Sequence, residues 1–187
     1  MKLLIFGASG SGTTTLGMEL GKRIQYIHLD ADDYYWKQTD PPNQEKRPVA
    51  DRIKHLTADA AKYQHVILSG SLVSWGPYWH TAFSLAVFLY LPLSTRMARL
   101  EKRESERNKD RPNTGVTESR TREFMDYVRQ YDDPDFTGRS LAVHNQWIKL
   151  LNCPVLRIEG EIPLNERIDL VLYEIRRLNI PLKGLKA

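Results

Sequence analysis

The chain has 187 residues, 41% of them apolar and 27% charged, with a formal charge of +4. That length buries one core, so a single domain over residues 1–187 is expected; no run nears the ~18 apolar residues of a membrane span, and no repeat or low-complexity linker divides it. Basic residues are interleaved with acidic ones, which excludes a dedicated nucleic-acid surface but suits anionic small ligands, and the lone Cys153 excludes an intrachain disulfide and fits a reducing, cytoplasmic setting.

In chain order, residues 2–6 form a short apolar run, expected to be a strand buried on both faces and not a leader peptide. Gly7-Ala8-Ser9-Gly10-Ser11-Gly12-Thr13-Thr14-Thr15 follows, and then an amphipathic helix over 16–23, with Leu16 and Leu20 on one face. A second strand covers 26–29 and closes at Asp30. It leads into the acidic and aromatic stretch Asp30-Ala31-Asp32-Asp33-Tyr34-Tyr35-Trp36. Prolines make a loop near residues 39–43, and a helix is expected over 49–63. The third strand, 65–69, ends at Ser69-Gly70-Ser71, and an aromatic loop or short helix holds Trp75, Tyr78 and Trp79. The fourth strand, 86–91, stops at Pro92. Ser94 is a suitable N-cap for a helix to about residue 108. Further helices are expected over 118–130 and 140–151, with a fifth strand at 155–158. A last helix presents Ile168, Val171, Leu172, Ile175 and Leu178 on one face.

Short apolar strands alternating with helices specify an α/β domain with a mostly parallel sheet. Such sheets bind ligands beyond the carboxyl ends of their strands. The residues to weigh are therefore the glycine loop, Asp30 to Asp33, the stretch from Ser69 to Trp75, and the arginines after Pro92.

A strand, a glycine-rich turn and a helix aim backbone N–H groups and a helix dipole at one point, which attracts phosphate. The spacing from Gly7 to Gly12 is that of a P-loop, with Thr14 where the motif wants a magnesium-binding hydroxyl. Thr13 stands where it wants lysine. Gly7-Ala8-Ser9-Gly10 also resembles the opening of a dinucleotide loop, but Thr13 occupies the position of that motif's third glycine. Asp30 and Asp32 form a D-x-D, and alternation along an extended chain would put both on one side. Two carboxylates beside a phosphate site can hold magnesium and take a proton from a hydroxyl nucleophile; the alternative is a helix N-cap with solvated acids. Arg96, Arg99, Arg103 and Arg107 lie at helical spacing on one face. They form either a polyphosphate clamp or a salt-bridged surface. Tyr34, Tyr35, Trp36, Trp75, Tyr78 and Trp79 serve as packing or together wall a pocket for a flat or cationic group. The five histidines show no metal-ligand spacing.

Four motifs in order resemble the small P-loop kinases of the adenylate kinase, nucleoside-monophosphate kinase and shikimate kinase group. They are the loop from Gly7 to Thr14, the Asp30–Asp32 pair, Ser69-Gly70-Ser71 at the third strand's end, and Arg99-Leu100-Glu101-Lys102-Arg103, which resembles the opening of a lid. The resemblance implies a three-layer P-loop fold with a five-stranded, mostly parallel sheet and a mobile helical lid near residues 104–122. It implies transfer of a phosphoryl group from ATP, with Mg2+, to a small-molecule acceptor such as a nucleoside, nucleotide or other hydroxyl compound. Residues 7 to 15 would bind the nucleotide, Thr14 and Asp30 the metal. Asp32, Arg99 and Arg103 would be catalytic. Asp32, Asp33, Tyr35, Arg52, Ser71 and Trp75 would line the acceptor side, with Arg52 on an anionic group.

The third strand lacks the Asp-Gly-Phe-Pro-Arg run of true adenylate kinases, which disfavours AMP as acceptor. The charge missing at Thr13 is expected from a lid arginine or a substrate cation. Two other readings stay open: a nucleotide-binding protein without kinase activity, and an NAD(P)-binding reductase-like protein. No tyrosine has a lysine four positions on, which argues against the common reductase form. A monomer or homodimer is expected.

Overall fold

The computed structural model describes residues 1–39, 45–108 and 115–182. Five strands, β1 (Lys2–Gly7), β2 (Ile27–Asp30), β3 (Val66–Ser69), β4 (Leu85–Tyr90) and β5 (Val155–Glu159), form one sheet in the order β2-β3-β1-β4-β5. Every pairing is parallel. The chain first lays β2 and β3 on one side of β1, then β4 and β5 on the other. All five carboxyl ends thus open on one edge.

The continuous apolar runs follow from two covered faces, because a strand's side chains alternate between them. Leu3 and Ile5 of β1 pack with Leu16 and Leu20 of α1 (Thr13–Ile24) and with Ile168, Val171 and Ile175 of the last helix (Leu164–Arg177). Leu4 and Phe6 face the opposite layer. There they meet Leu56 of α3 (Val49–Ala61), Trp75, Trp79, and Trp147 of α6 (Leu141–Ile148). A 3-10 turn at Pro77–His80 carries Trp79 into this core. Three layers result, as expected.

Between β2 and α3 lies a short helix, α2 (Ala31–Tyr35), capped by Asp30 as the alternative reading of the Asp30–Asp32 pair has it. Beyond the sheet, α4 (Leu93–Asn108) and α5 (Gly115–Arg129) pair through Met97, Leu100, Met125 and Val128. Helix α5 begins three residues earlier than expected. The last helix, α7, begins after Pro163, whose fixed φ suits the entry. Within the lid expected over 104–122, residues 109–114 lie outside the described residues; its described flanks are the end of α4 and the start of α5. Among the described residues no helix is long and apolar enough to cross a membrane.

Candidate active site

The glycine loop joins β1 to α1 at the centre of that edge. A Cβ at Gly7 would lie 2.3 Å from the Leu89 carbonyl oxygen on β4, so only glycine allows this approach. Gly10 and Gly12 hold φ angles of 83° and 90°, the left-handed conformation that the turn requires. Ser11 N–H donates to Ala8 O at 3.1 Å and closes the turn. Helix α1 then starts at Thr13, and its N-cap Gly12 has no side chain to cap it, so its first N–H groups remain available to an anion. Ser11 Oγ is buried with no hydrogen-bond partner, a polar atom turned into the loop.

Asp30 is the node beside the loop. Its Oδ2 accepts Thr14 Oγ1–H at 2.6 Å and Ser69 Oγ–H at 2.9 Å, and its Oδ1 accepts Asp32 N–H at 3.0 Å. Behind Ser69, His28 Nε2 approaches the same hydroxyl at 2.9 Å. The D-x-D is therefore not an extended pair: Asp30 caps α2, and Asp32 lies in its first turn. The turn still gathers both carboxylates. Asp32 keeps its side chain open to solvent at the carboxyl edge of the sheet. Crowding, and then the Asp30 charge, push its carboxyl above the usual range, while Arg139 and Arg103 pull it back. Asp33 is raised by the same first two causes and opposed by His28.

The arginine face divides. Arg96 turns inward with none of its surface exposed, donates to Leu91 O and to Asp132, and lies over the Tyr131 ring at 4.8 Å. It is a packing element, a correction to the expected row of four. Arg99, Arg103 and Arg107 remain on the open side. Arg99 reaches Glu161 at 3.5 Å, while Arg103 and Arg107 share Glu104 at 3.2 and 3.4 Å. Two arginines that spacing did not single out also reach the loop. Arg139, before the Ser140 cap of α6, donates to Ser9 Oγ at 3.2 Å. Arg167, in the opening turn of α7, donates to Ser11 O at 3.5 Å.

Several residues of the expected acceptor wall are buried or already paired. Trp75 is 1% exposed within the core, so its ring offers no open surface. Ser71 is buried against His144 Nε2 at 2.9 Å, and His144 Nδ1 meets Tyr131 Oη at 2.6 Å. Burial pushes His144 down to about 3, so it is neutral and links the two hydroxyls. Arg52 is 6% exposed, lies over the Tyr35 ring at 3.9 Å and donates to Arg47 O. Tyr34 bonds Asp59 at 2.9 Å, and Trp36 bridges Lys46. Of the six residues expected on the acceptor side, Asp32 and Asp33 keep open side chains, Tyr35 and Arg52 stack on each other, and Ser71 and Trp75 are buried.

The sheet order and the glycine loop define an α/β domain of the P-loop type. In dinucleotide-binding sheets the second strand lies beside the first, whereas here β3 separates them. Residues 3–126 match the family described as "AAA domain", and the chain belongs to that family. It is 39% identical over 169 residues to "Uncharacterized protein YqaC" of Bacillus subtilis (strain 168), covering 90% of this chain and 93% of that protein. A shorter likeness, 31% over 80 residues, joins it to "Probable gluconokinase" of Xenopus tropicalis, covering 38% of this chain and 42% of that one. Its fold is similar to shikimate kinase from Acinetobacter baumannii in complex with shikimate, with a TM-score of 0.55, 13% identity and coverage of 96% and 95%. It is also similar to deoxyadenosine kinase from M. mycoides with bound dATP, with a TM-score of 0.56, 15% identity and coverage of 94% and 100%.

Proposed function

We propose that this protein transfers the γ-phosphoryl group of ATP to a hydroxyl of a small-molecule acceptor. The observation that carries the reading is the placement of Asp32. It stands two residues beyond Asp30, its N–H bonded to Asp30 Oδ1, under the field of Arg103 and of Arg139, which itself holds the loop at Ser9. The loop N–H groups and the start of α1 would take the nucleotide phosphates. Thr14 Oγ1 and Asp30 are oxygen donors that fit magnesium, a hard ion that protein sites commonly hold by one or two carboxylates with substrate phosphates. Bound there, the ion would neutralise charge on the phosphates.

Asp32 orients the acceptor hydroxyl and takes its proton as the new O–P bond forms. Its raised carboxyl makes it a better base than an ordinary aspartate. Arg99 and Arg103, on the open face of α4, supply positive charge to the transferring group. A coupled assay of ADP formation tests this with nucleosides, nucleoside monophosphates and polyhydroxy acids as acceptors. Turnover above the rate with water is expected for one class; a flat panel with folded, ATP-binding protein refutes transfer to these classes. Thr13 in the lysine position favours one other reading, a nucleotide binder without chemistry, and that flat result would support it.

A further inference from the structure

Two arginines from distant parts of the chain converge on the last residue of the glycine loop. A Cβ at Gly12 would lie 3.1 Å from Arg167 Nη1 and 4.0 Å from Arg99 Nη1. Arg167 is half-buried, yet its Nη1 makes one long contact to Ser11 O, at 3.5 Å, and its Nε is buried with no partner. No carboxylate pairs with it among the described residues, and Arg99 reaches only the exposed Glu161. Burial and the Arg99 charge both disfavour its charged form. It also sits in the opening turn of α7, where the helix dipole disfavours a cation. Neither packing nor pairing accounts for a guanidinium held there. The surface it faces is the uncapped N-terminus of α1, beside a loop with no lysine of its own.

We propose that Arg167 supplies the cation that the loop lacks at Thr13. Its guanidinium grips a phosphate of the bound nucleoside di- or triphosphate at the Gly12 edge. This rests on the nucleotide-binding reading above. The planar fork suits a phosphate, and partial burial shields it from competing water. Gly12 serves a second purpose here, because a side chain at that position would press on the guanidinium.

Calorimetry with ADP tests the proposal on the wild type, Arg167→Ala, Arg167→Gln, Arg167→Lys, Thr13→Lys and the Arg167→Ala/Thr13→Lys double variant, with a melting curve for each. Arg167→Gln keeps the stem and serves if the alanine variant fails to fold, with its own Thr13→Lys double. The neutral variants are expected to bind ADP about 10- to 100-fold more weakly, the range for one lost charge-assisted contact. Arg167→Lys should recover part of that loss. Thr13→Lys should raise affinity more in the neutral background than in the wild type, which a merely structural role would not produce. Affinity within about twofold of wild type in the neutral variants overturns the proposal, as does an equal gain from Thr13→Lys in both backgrounds. A wild type that binds no ADP, ATP or GDP at millimolar concentration overturns the nucleotide-binding reading itself. A wild type that binds while the neutral variants match it overturns only the role of Arg167.

Discussion

Replacing Asp30 separates its structural work from its proposed metal chemistry. Its Oδ2 takes two hydroxyl protons, from Thr14 at 2.6 Å and Ser69 at 2.9 Å, while its Oδ1 caps α2 through Asp32 N–H. Asp30→Asn can keep the cap but removes the charge that both hydroxyls meet. A hydrogen bond to a charged group contributes about 1.5–3 kcal/mol, and Asp30 is only half-buried, so a loss near the lower figure is expected. Asp30→Ala also removes the cap and should lose about 1 kcal/mol more. Urea unfolding of Asp30→Asn, Thr14→Val and the double variant measures the coupling, expected at about 1 kcal/mol. ADP titrations with and without magnesium then probe the site. Magnesium should tighten ADP on the wild type, whereas Asp30→Asn should lose most of that gain and keep magnesium-free affinity within about threefold. Additivity within about 0.5 kcal/mol, or an undiminished magnesium effect in Asp30→Asn, would refute the reasoning.

Asp32→Asn should lower kcat about 10²- to 10⁴-fold, the worth of a general base, with ADP affinity within about threefold. The variant should lack the acid limb that the Asp32 carboxyl gives the wild-type kcat/KM profile. Arg96→Met should cost about 3 kcal/mol in urea unfolding, since it leaves Asp132 without its partner and Leu91 O without its donor at a fully buried site, while leaving ADP affinity nearly unchanged. His144 sits at about 3 in the folded chain against 6.5 unfolded, so the unfolded chain binds the extra proton between those values. Its contribution is complete above pH 6.5 and is lost by up to about 1.4 kcal/mol per unit as the pH falls toward 3. The difference in unfolding free energy between wild type and His144→Gln, measured across that window, should follow this slope.

The three central strands, β1, β3 and β4, were readable because burial on both faces leaves unbroken apolar runs, and the glycine loop because its spacing is fixed by backbone geometry. Helix α2 was hidden: a D-x-D fits both an extended pair and a cap followed by one turn, and only Asp32 N–H bonded to Asp30 Oδ1 decides. Helical spacing set four arginines in a row, but it says nothing of what covers each turn, and Tyr131 covers Arg96. Trp75 and Tyr78 looked alike in sequence; one is packed in the core and the other is half exposed. Arg139 and Arg167 reach the loop through tertiary convergence, which no local pattern encodes. Arg167 did leave a trace, a cation in a helix's opening turn.

Phosphoryl transfer is tested by following the phosphate itself. The protein is incubated with magnesium, γ-labelled ATP and a small-molecule extract of cells, and labelled products are resolved. A labelled organic phosphate that disappears with Asp32→Asn is expected. Label that stays in ATP or appears only as inorganic phosphate, from protein that binds the nucleotide well, would contradict it.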